Sequence, residues 1–262
     1  MAPIIHVMRH AQAEHNAGKK CADVKDPTLT EDGLGQCFNL QSTFPFAPDM
    51  IVASPMRRTI QTAELAFESF VTGGRRIILI PDLQEVGDVL CCIGSPRKEI
   101  EEKFKTVVRT AFMADEWQKE ESGNSYNPQH LQERARTART ILRIFASAYI
   151  ELTPGEVDPQ IVVISHGDFI PYLVEDYTGC AATFNFVKKP WNNAEYRSYE
   201  FVDFPVPEEG GKYSMEAMTP KDNGAHLRET DDSLKRRNAM RIDAAQQGLY
   251  FRWLCSDYER KH

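Results

Sequence analysis

Three short apolar runs in this chain each stop abruptly on polar side chains, and that repeated ending constrains the fold more than any other feature. Ile4-Ile5-His6-Val7-Met8 runs into Arg9-His10, Met50-Ile51-Val52-Ala53 into Ser54-Pro55-Met56-Arg57-Arg58, and Ile161-Val162-Val163-Ile164 into Ser165-His166-Gly167. Short runs rich in β-branched residues read as buried strands. Successive side chains on a strand point to opposite faces, so Arg9 and His10 can share a pocket only where the strand is ending. Open α/β folds bind their ligands at that edge, beyond the carboxyl ends of the strands. Three parallel strands ending together would gather Arg9, His10, Arg57 or Arg58, and His166 at one place.

The intervening chain alternates helix with strand. Thr30 is placed to cap a helix carrying Leu34, Phe38 and Leu40, where such a cap stabilises by about 1 kcal/mol. A helix from about Pro55 to Phe70 buries Met56, Ile60, Ala63, Phe67 and Phe70 at spacings of four and three. Arg57, Gln61, Glu64 and Glu68 then form its solvated face, which sets Arg58 apart as the arginine nearer the sheet edge. Arg76 to Ile80 reads as a strand, followed by a loop from Leu83 to Asp88. About 91–150 is expected to be a helical insertion, irregular over Pro96 to Trp117. It ends in a regular helix carrying Leu131, Ala135, Ala138, Leu142, Phe145 and Tyr149. Gln160 to Ser165 and Tyr196 to Val202 are the last strands. Pro205 to Asp232 is rich in Pro, Gly and charge and reads as a surface loop, and Ser233 to Tyr258 as a final helix. The alternation predicts an α/β chain, a three-layer α/β/α sandwich around a mostly parallel sheet, in one domain over 1–262 with no repeat.

Bulk properties narrow the partners. The chain has 262 residues, 42% of them hydrophobic and 26% charged, enough for one good core. No apolar run approaches the roughly 20 residues of a membrane span, and the first residues lack a basic, signal-like start. A cytoplasmic location is expected. A net charge of −7 argues against nucleic acid or an anionic membrane as partner. It also means that an anionic substrate must be drawn by a local basic pocket. Oligomeric state is not encoded in any pattern read here. The six cysteines, Cys21, Cys37, Cys91, Cys92, Cys180 and Cys255, form no CxxC pair and no disulfide framework. They are expected to be small, partly buried thiols, with the neighbours Cys91 and Cys92 open to redox chemistry. No structural zinc is expected.

Four short motifs fall in one order: Arg9-His10 with Asn16 following, Ser54-Pro55-Met56 with Arg58 and Gln61-Thr62, Leu83-Gln84-Glu85, and Ser165-His166-Gly167. Together they resemble the histidine phosphatase superfamily, whose fold is phosphoglycerate-mutase-like. The resemblance covers roughly the first two-thirds of the chain. Ala11 and Gln12 stand where the commonest pattern has Gly and Glu, and Arg-His-Ala-Gln with His15-Asn16 looks more like a fungal and plant branch made up mostly of phosphatases.

A phosphomonoester dianion repels anionic nucleophiles, whereas a neutral imidazole can attack it and split one hard step into two. His10 is the candidate nucleophile; the resemblance implies that this histidine carries the phosphoryl group. Arg9 would lower its pKa. Arg9 and Arg58 can each meet two phosphoryl oxygens through their planar forks. His166, in a protonated ring, can donate a third hydrogen bond. Asn16 can contribute through side chain or backbone, and Ser54 and Gly167 are further candidate substrate contacts. His15 lines the pocket mouth or sits on the surface of the first turn. Glu85 is the candidate acid and then base, because the resemblance implies the family's acid position at Leu83-Gln84-Glu85, with Asp88 and Asp168 as rivals. With these cations no metal and no cofactor is expected. Trp191 to Arg197 borders the substrate or covers the core edge. His6, His130, His226 and His262 are assigned no role.

The expected function is a metal-independent phosphomonoesterase of the histidine acid phosphatase type, acting on a small phosphorylated metabolite. A phosphoglycerate mutase would differ in needing a bisphosphate primer. A catalytically silent binding subunit on the same fold would need neither both histidines nor both arginines.

Overall fold

The structure is a computed structural model that describes residues 2–119, 126–153, 158–177, 191–202 and 226–237. Its centre is a seven-stranded sheet in the order β4-β3-β2-β5-β1-β6-β7. The strands are β1 (Ile4–Arg9), β2 (Met50–Ala53), β3 (Ile77–Leu79), β4 (Val108–Arg109), β5 (Gln160–Ser165), β6 (Tyr196–Phe201) and β7 (Leu227–Glu229). β1 to β5 run parallel, and β6 and β7 add an antiparallel edge. The three runs singled out in the sequence are adjacent, β5 lying between β1 and β2.

Both faces of the sheet are covered, as continuous apolar strands require. One core joins Ile5, Val7, Val52, Ile161 and Val163 to α5 (Pro128–Leu152) and α6 (Ile170–Leu173). The other joins Met8, Ile51, Ala53, Val162 and Ile164 to α1 (Glu31–Thr43), α2 (Arg57–Ala66), α3 (Glu68–Thr72) and α4 (Arg97–Phe104). Each fully buried Val or Ile contributes about 1.5–3 kcal/mol relative to exposure, so the two-sided burial fixes which residues can face either layer.

Local expectations hold where periodicity was regular. Thr30 caps α1, its hydroxyl accepting from Gly33 N at 3.1 Å, and Met56, Ile60, Ala63, Phe67 and Phe70 are all buried. The face of α1 differs: Cys37 and Leu40 are buried while Phe38 is 56% exposed. The helix Pro55 to Phe70 is two helices, with Phe67 between α2 and α3. In α5 the buried stripe runs from Leu142 to Ala146 and Ile150 rather than through Phe145 and Tyr149. Each step of four residues exceeds one 3.6-residue turn, so this part of the buried stripe winds around the helix.

Two expectations are corrected. The stretch taken as a helical insertion supplies β4, which pairs with β3, and its Trp117 is buried, with its indole N–H on the Ser95 carbonyl. The stretch taken as a surface loop supplies β7, which pairs with β6, and residues 231–237 are helical. Both strands are two or three residues long and take their stability from an existing sheet edge, so neither shows its own alternation. The rest of the expected final helix, and most of Pro205 to Asp232, lie outside the described residues. No helix among the described residues is long and apolar enough to cross a membrane.

Candidate active site

The ends of β1, β5 and β2 are level. Arg9 stands opposite Ser165 in register, and Ala53 opposite Ile164. Just past the ends, His10 N donates to Ser165 O and Ser54 N to Ile164 O, both at 3.0 Å. The backbone beyond β1 is then tied to α2, because Ala11 N donates to Thr62 Oγ1 at 3.0 Å and that hydroxyl donates to Arg58 O at 2.7 Å. From the other side Arg9 N donates to Glu195 O, Ala194 N to His10 O, and Asn193 Nδ2 to His10 O.

His10 is fully buried. Its Nδ1 lies 2.7 Å from the carbonyl oxygen of its neighbour Ala11, and a carbonyl can only accept, so the proton sits on Nδ1. Nε2 therefore carries the lone pair, and Arg58 Nε donates to it at 3.3 Å. Burial first, then Arg58, Arg9 and His15, hold the His10 pKa well below the usual histidine range. The ring is a neutral base near neutral pH.

Two guanidinium groups flank that nitrogen. Arg9 is 4% exposed and Arg58 fully buried. Arg9 Nη1 donates to Trp191 O at 2.7 Å, and Arg58 Nη1 to Cys91 O at 3.0 Å. Arg9 Nε and Arg58 Nη2 have no hydrogen-bond partner among the described residues. Burial lowers both pKa values, and Glu85 opposes the fall; arginine still stays charged. Gly167 makes room for this arrangement, since a β-carbon there would sit 3.0 Å from Arg9 Nε.

His166 faces His10 with ring centroids 5.2 Å apart. Its Nε2 is 2.9 Å from Ser54 Oγ, and its buried Nδ1 has no hydrogen-bond partner. Burial, then Arg58 and His10, push its pKa well down, which favours a neutral ring over the expected imidazolium. Glu85 is 4% exposed, and its Oε1 accepts from Val86 N at 3.0 Å. Nitrogens of His10 and His166 and a carboxylate oxygen of Glu85 all lie within 4.8 Å of one another. Two imidazoles and a carboxylate could ligate a transition metal by donor type, but the Arg58 cation against His10 opposes a dication there.

The chain matches the histidine phosphatase superfamily (branch 1) over residues 5–203. It belongs to that superfamily. A probable phosphatase of Schizosaccharomyces pombe is 30% identical over 116 residues, which cover 42% of this chain and 54% of that protein. The chain thus spans about half the length of the curated relative it matches. A structure described as mycobacterial hydrolase 1 aligns with a TM-score of 0.52 at 18% identity, over 87% of this chain and 97% of that one. A mycobacterial glucosyl-3-phosphoglycerate phosphatase aligns with a TM-score of 0.50 at 19% identity, over 87% and 97%. At such identities the likeness is one of fold.

In this histidine phosphatase superfamily member the sequence-derived residues His10, Arg9, Arg58, His166 and Glu85 share one buried cluster. Arg57 is excluded from it: its N and Nε bond to Asp26 Oδ1 and Asp26 O at 3.0 and 2.6 Å. Ser54 reaches the site through its hydroxyl on His166, and Gly167 through the space it leaves for Arg9. The side-chain oxygen of Asn16 accepts from Ala13 N at 3.1 Å and Asn193 Nδ2 at 3.3 Å, so it braces the loop after His10. The ring of His15 lies 5.6 Å from that of His10, on the pocket side of its turn. Residues with no assigned catalytic role complete the frame, Trp191 and Asn193 from the stretch expected to border the substrate or cover the core edge. Asn193 links His10 to Asn16, and the Ala11, Trp191 and Cys91 carbonyls orient the ring and the two guanidiniums. Arg134 donates to Gln84 O at 2.9 Å and lies 4.1 Å over the Phe169 ring, which ties the Glu85 loop to the turn after His166. Backbone acceptors carry no residue-type signature, and Arg134 lay on a helix read only for its apolar stripe.

Proposed function

We propose that this protein is a metal-independent phosphomonoesterase that removes phosphate from a small phosphorylated metabolite through a phosphohistidine on His10. The observation carrying this reading is the His10 tautomer: Nδ1–H engaged by Ala11 O, and the Nε2 lone pair facing a pocket walled by two arginines. Nε2 attacks phosphorus in line while charge spreads over the three equatorial oxygens. Arg9 Nε and Arg58 Nη2 are buried N–H groups without an acceptor among the described residues and are suited to those oxygens. If Ser54 donates its hydroxyl proton to His166 Nε2, the His166 proton lies on Nδ1 and makes a third donor. A positioned donor of this kind is worth about 3 kcal/mol in rate.

Glu85 protonates the departing alkoxide, then as carboxylate takes a proton from the water that attacks phosphohistidine. The phosphoryl group leaves as inorganic phosphate and His10 is regenerated. The description of the S. pombe relative as a probable phosphatase supports hydrolysis; the substrate class rests on the charge of the two arginines beside His10.

The test is a panel of phosphometabolites and p-nitrophenyl phosphate with chelator present, using His10→Ala and Glu85→Gln. Turnover should vanish in His10→Ala. Glu85→Gln should slow an alkyl phosphate by about 10²–10⁴-fold and p-nitrophenyl phosphate less, since its leaving group needs no proton. Alkyl phosphatase activity near wild type in Glu85→Gln would remove Glu85 from the mechanism.

A further inference from the structure

The expectation of six thiols is corrected by the fold: Cys21 and Cys91 are joined by a disulfide, with a Cα–Cα distance of 4.9 Å across a sequence separation of 70. Spacing could not reveal it, because two loops from different crossovers bring the cysteines together. Cys91 N also donates to Cys21 O at 3.0 Å. Cys92 is a buried thiol whose sulfur lies 3.7 Å from that of Cys91.

The Cys91-Cys92 dipeptide is also a junction of the candidate active site. Cys91 O accepts from Arg58 Nη1 at 3.0 Å. Cys92 O accepts from Gln84 Nε2 at 2.8 Å, and Cys92 Sγ donates to Val86 O at 3.2 Å. The dipeptide therefore holds Arg58 on one side and Gln84 and Val86, the two neighbours of Glu85, on the other. The disulfide and the Cys91 N–Cys21 O hydrogen bond together anchor that dipeptide to the segment after His15 and Asn16.

We infer that the Cys21–Cys91 disulfide is a reversible modification site, reduced by dithiols, whose state sets how well Arg58 is placed to bind phosphate. The inference rests on the phosphatase reading only for its effect on turnover. Half-buried Cys21 is the accessible sulfur. A dithiol thiolate attacks Cys21 Sγ, the Cys21–Cys91 bond breaks, and the electron pair leaves on Cys91 Sγ. Cys91 then takes a proton. The second dithiol sulfur attacks the mixed disulfide and releases Cys21 as a thiol, with the dithiol oxidised to its own disulfide. Two electrons and two protons pass to the protein. Reduction leaves the Cys91 N–Cys21 O hydrogen bond as the remaining tie between the two cysteines, so the Cys91 carbonyl is held less firmly against Arg58 Nη1. Glutathione disulfide reverses the change.

The experiment compares the full-length protein oxidised with glutathione disulfide and reduced with dithiothreitol. Cysteine pairing is mapped by differential alkylation and mass spectrometry, and the probe is inorganic phosphate, titrated by calorimetry. Reduction is expected to weaken phosphate binding about tenfold, the scale of a charge-assisted contact that depends on geometry, and reoxidation to restore it. Cys21→Ser should stay at the reduced value in both buffers; if it does not fold, the two wild-type forms decide. No difference between mapped forms overturns the inference, whether binding is equal or absent in both, and so does failure to find Cys21 joined to Cys91 after oxidation. A redox shift in phosphate binding without turnover that depends on His10 would sink the phosphatase reading alone. Such turnover with redox-invariant binding would sink this inference alone.

Discussion

His10 owes its reactivity to neighbours that are mostly not side chains. The Ala11 carbonyl selects the tautomer, burial keeps the ring neutral, and Arg58 marks the direction of attack. Gly167 belongs to the same arrangement without touching the reaction, because its missing β-carbon leaves the place where Arg9 Nε passes. Gly167→Ala should therefore cost activity rather than folding. A displaced guanidinium should lower kcat/KM by on the order of 10- to 100-fold, with the thermal midpoint close to wild type. Steady-state kinetics beside a melting curve checks this, and unchanged kcat/KM would show that Arg9 has room to yield. Asn193→Ala removes the amide shared by His10 O and Asn16 Oδ1. It should lower kcat more than it raises KM, since it loosens the nucleophile's backbone and leaves both arginines alone.

Among the elements, α1 and α2 press the loop after β1 into place. Gln12 O accepts from Thr30 N at 3.0 Å, Gln12 N donates to Gln36 Oε1 at 2.8 Å, and α2 holds Ala11 through Thr62. Gly33 lets the first turn of α1 meet this loop, and a β-carbon there would collide with the Gln12 carbonyl. Gly33→Ala should destabilise by about 1–3 kcal/mol as an overpacked contact, although alanine is the better helix former. Urea unfolding measures it; a stabilised variant would mean that helix propensity outweighs the clash. The elements legible in the sequence were those marked by apolar runs, caps or helical periods, namely β1, β2, β3, β5, β6, α1, α2 and α5. The edge strands β4 and β7 were not, because two or three residues carry no period and their partners lie far along the chain.

At the scale of the whole molecule, the site makes the protein acid-sensitive. His6, buried against Phe46 and bonded to Ser198 Oγ and Gln160 Oε1, has its pKa lowered to about 4, chiefly by burial. The folded pKa lies below the unfolded 6.5, so the unfolded chain binds more protons between the two values. Stability contributed by neutral His6 is therefore present above about pH 6.5 and lost as pH falls towards 4, by about 3 kcal/mol in total. His10 and His166 act with the same sign. Comparing urea unfolding at pH 7 and pH 4.5 for wild type and His6→Gln isolates the His6 share, which the variant should lose. An equal loss of stability in both would rule it out. A hydrolase also needs no primer, so turnover should be the same with and without added bisphosphate; dependence on it would favour the mutase.

The sequence alone determined the residue types at the strand ends and their order, and hence the α/β class and the cluster of His10, Arg9, Arg58, His166 and Glu85. Side-chain chemistry and apolar periodicity are local properties, written into neighbouring residues. Only the tertiary structure decided which atoms of those residues are engaged and which remain available. The His10 tautomer, the neutral state of His166, the bracing role of Asn16, the Cys21–Cys91 bond and the strands at both sheet edges all depend on groups distant in sequence. Burial and backbone carbonyls set them, and neither is marked by the identity of any single residue.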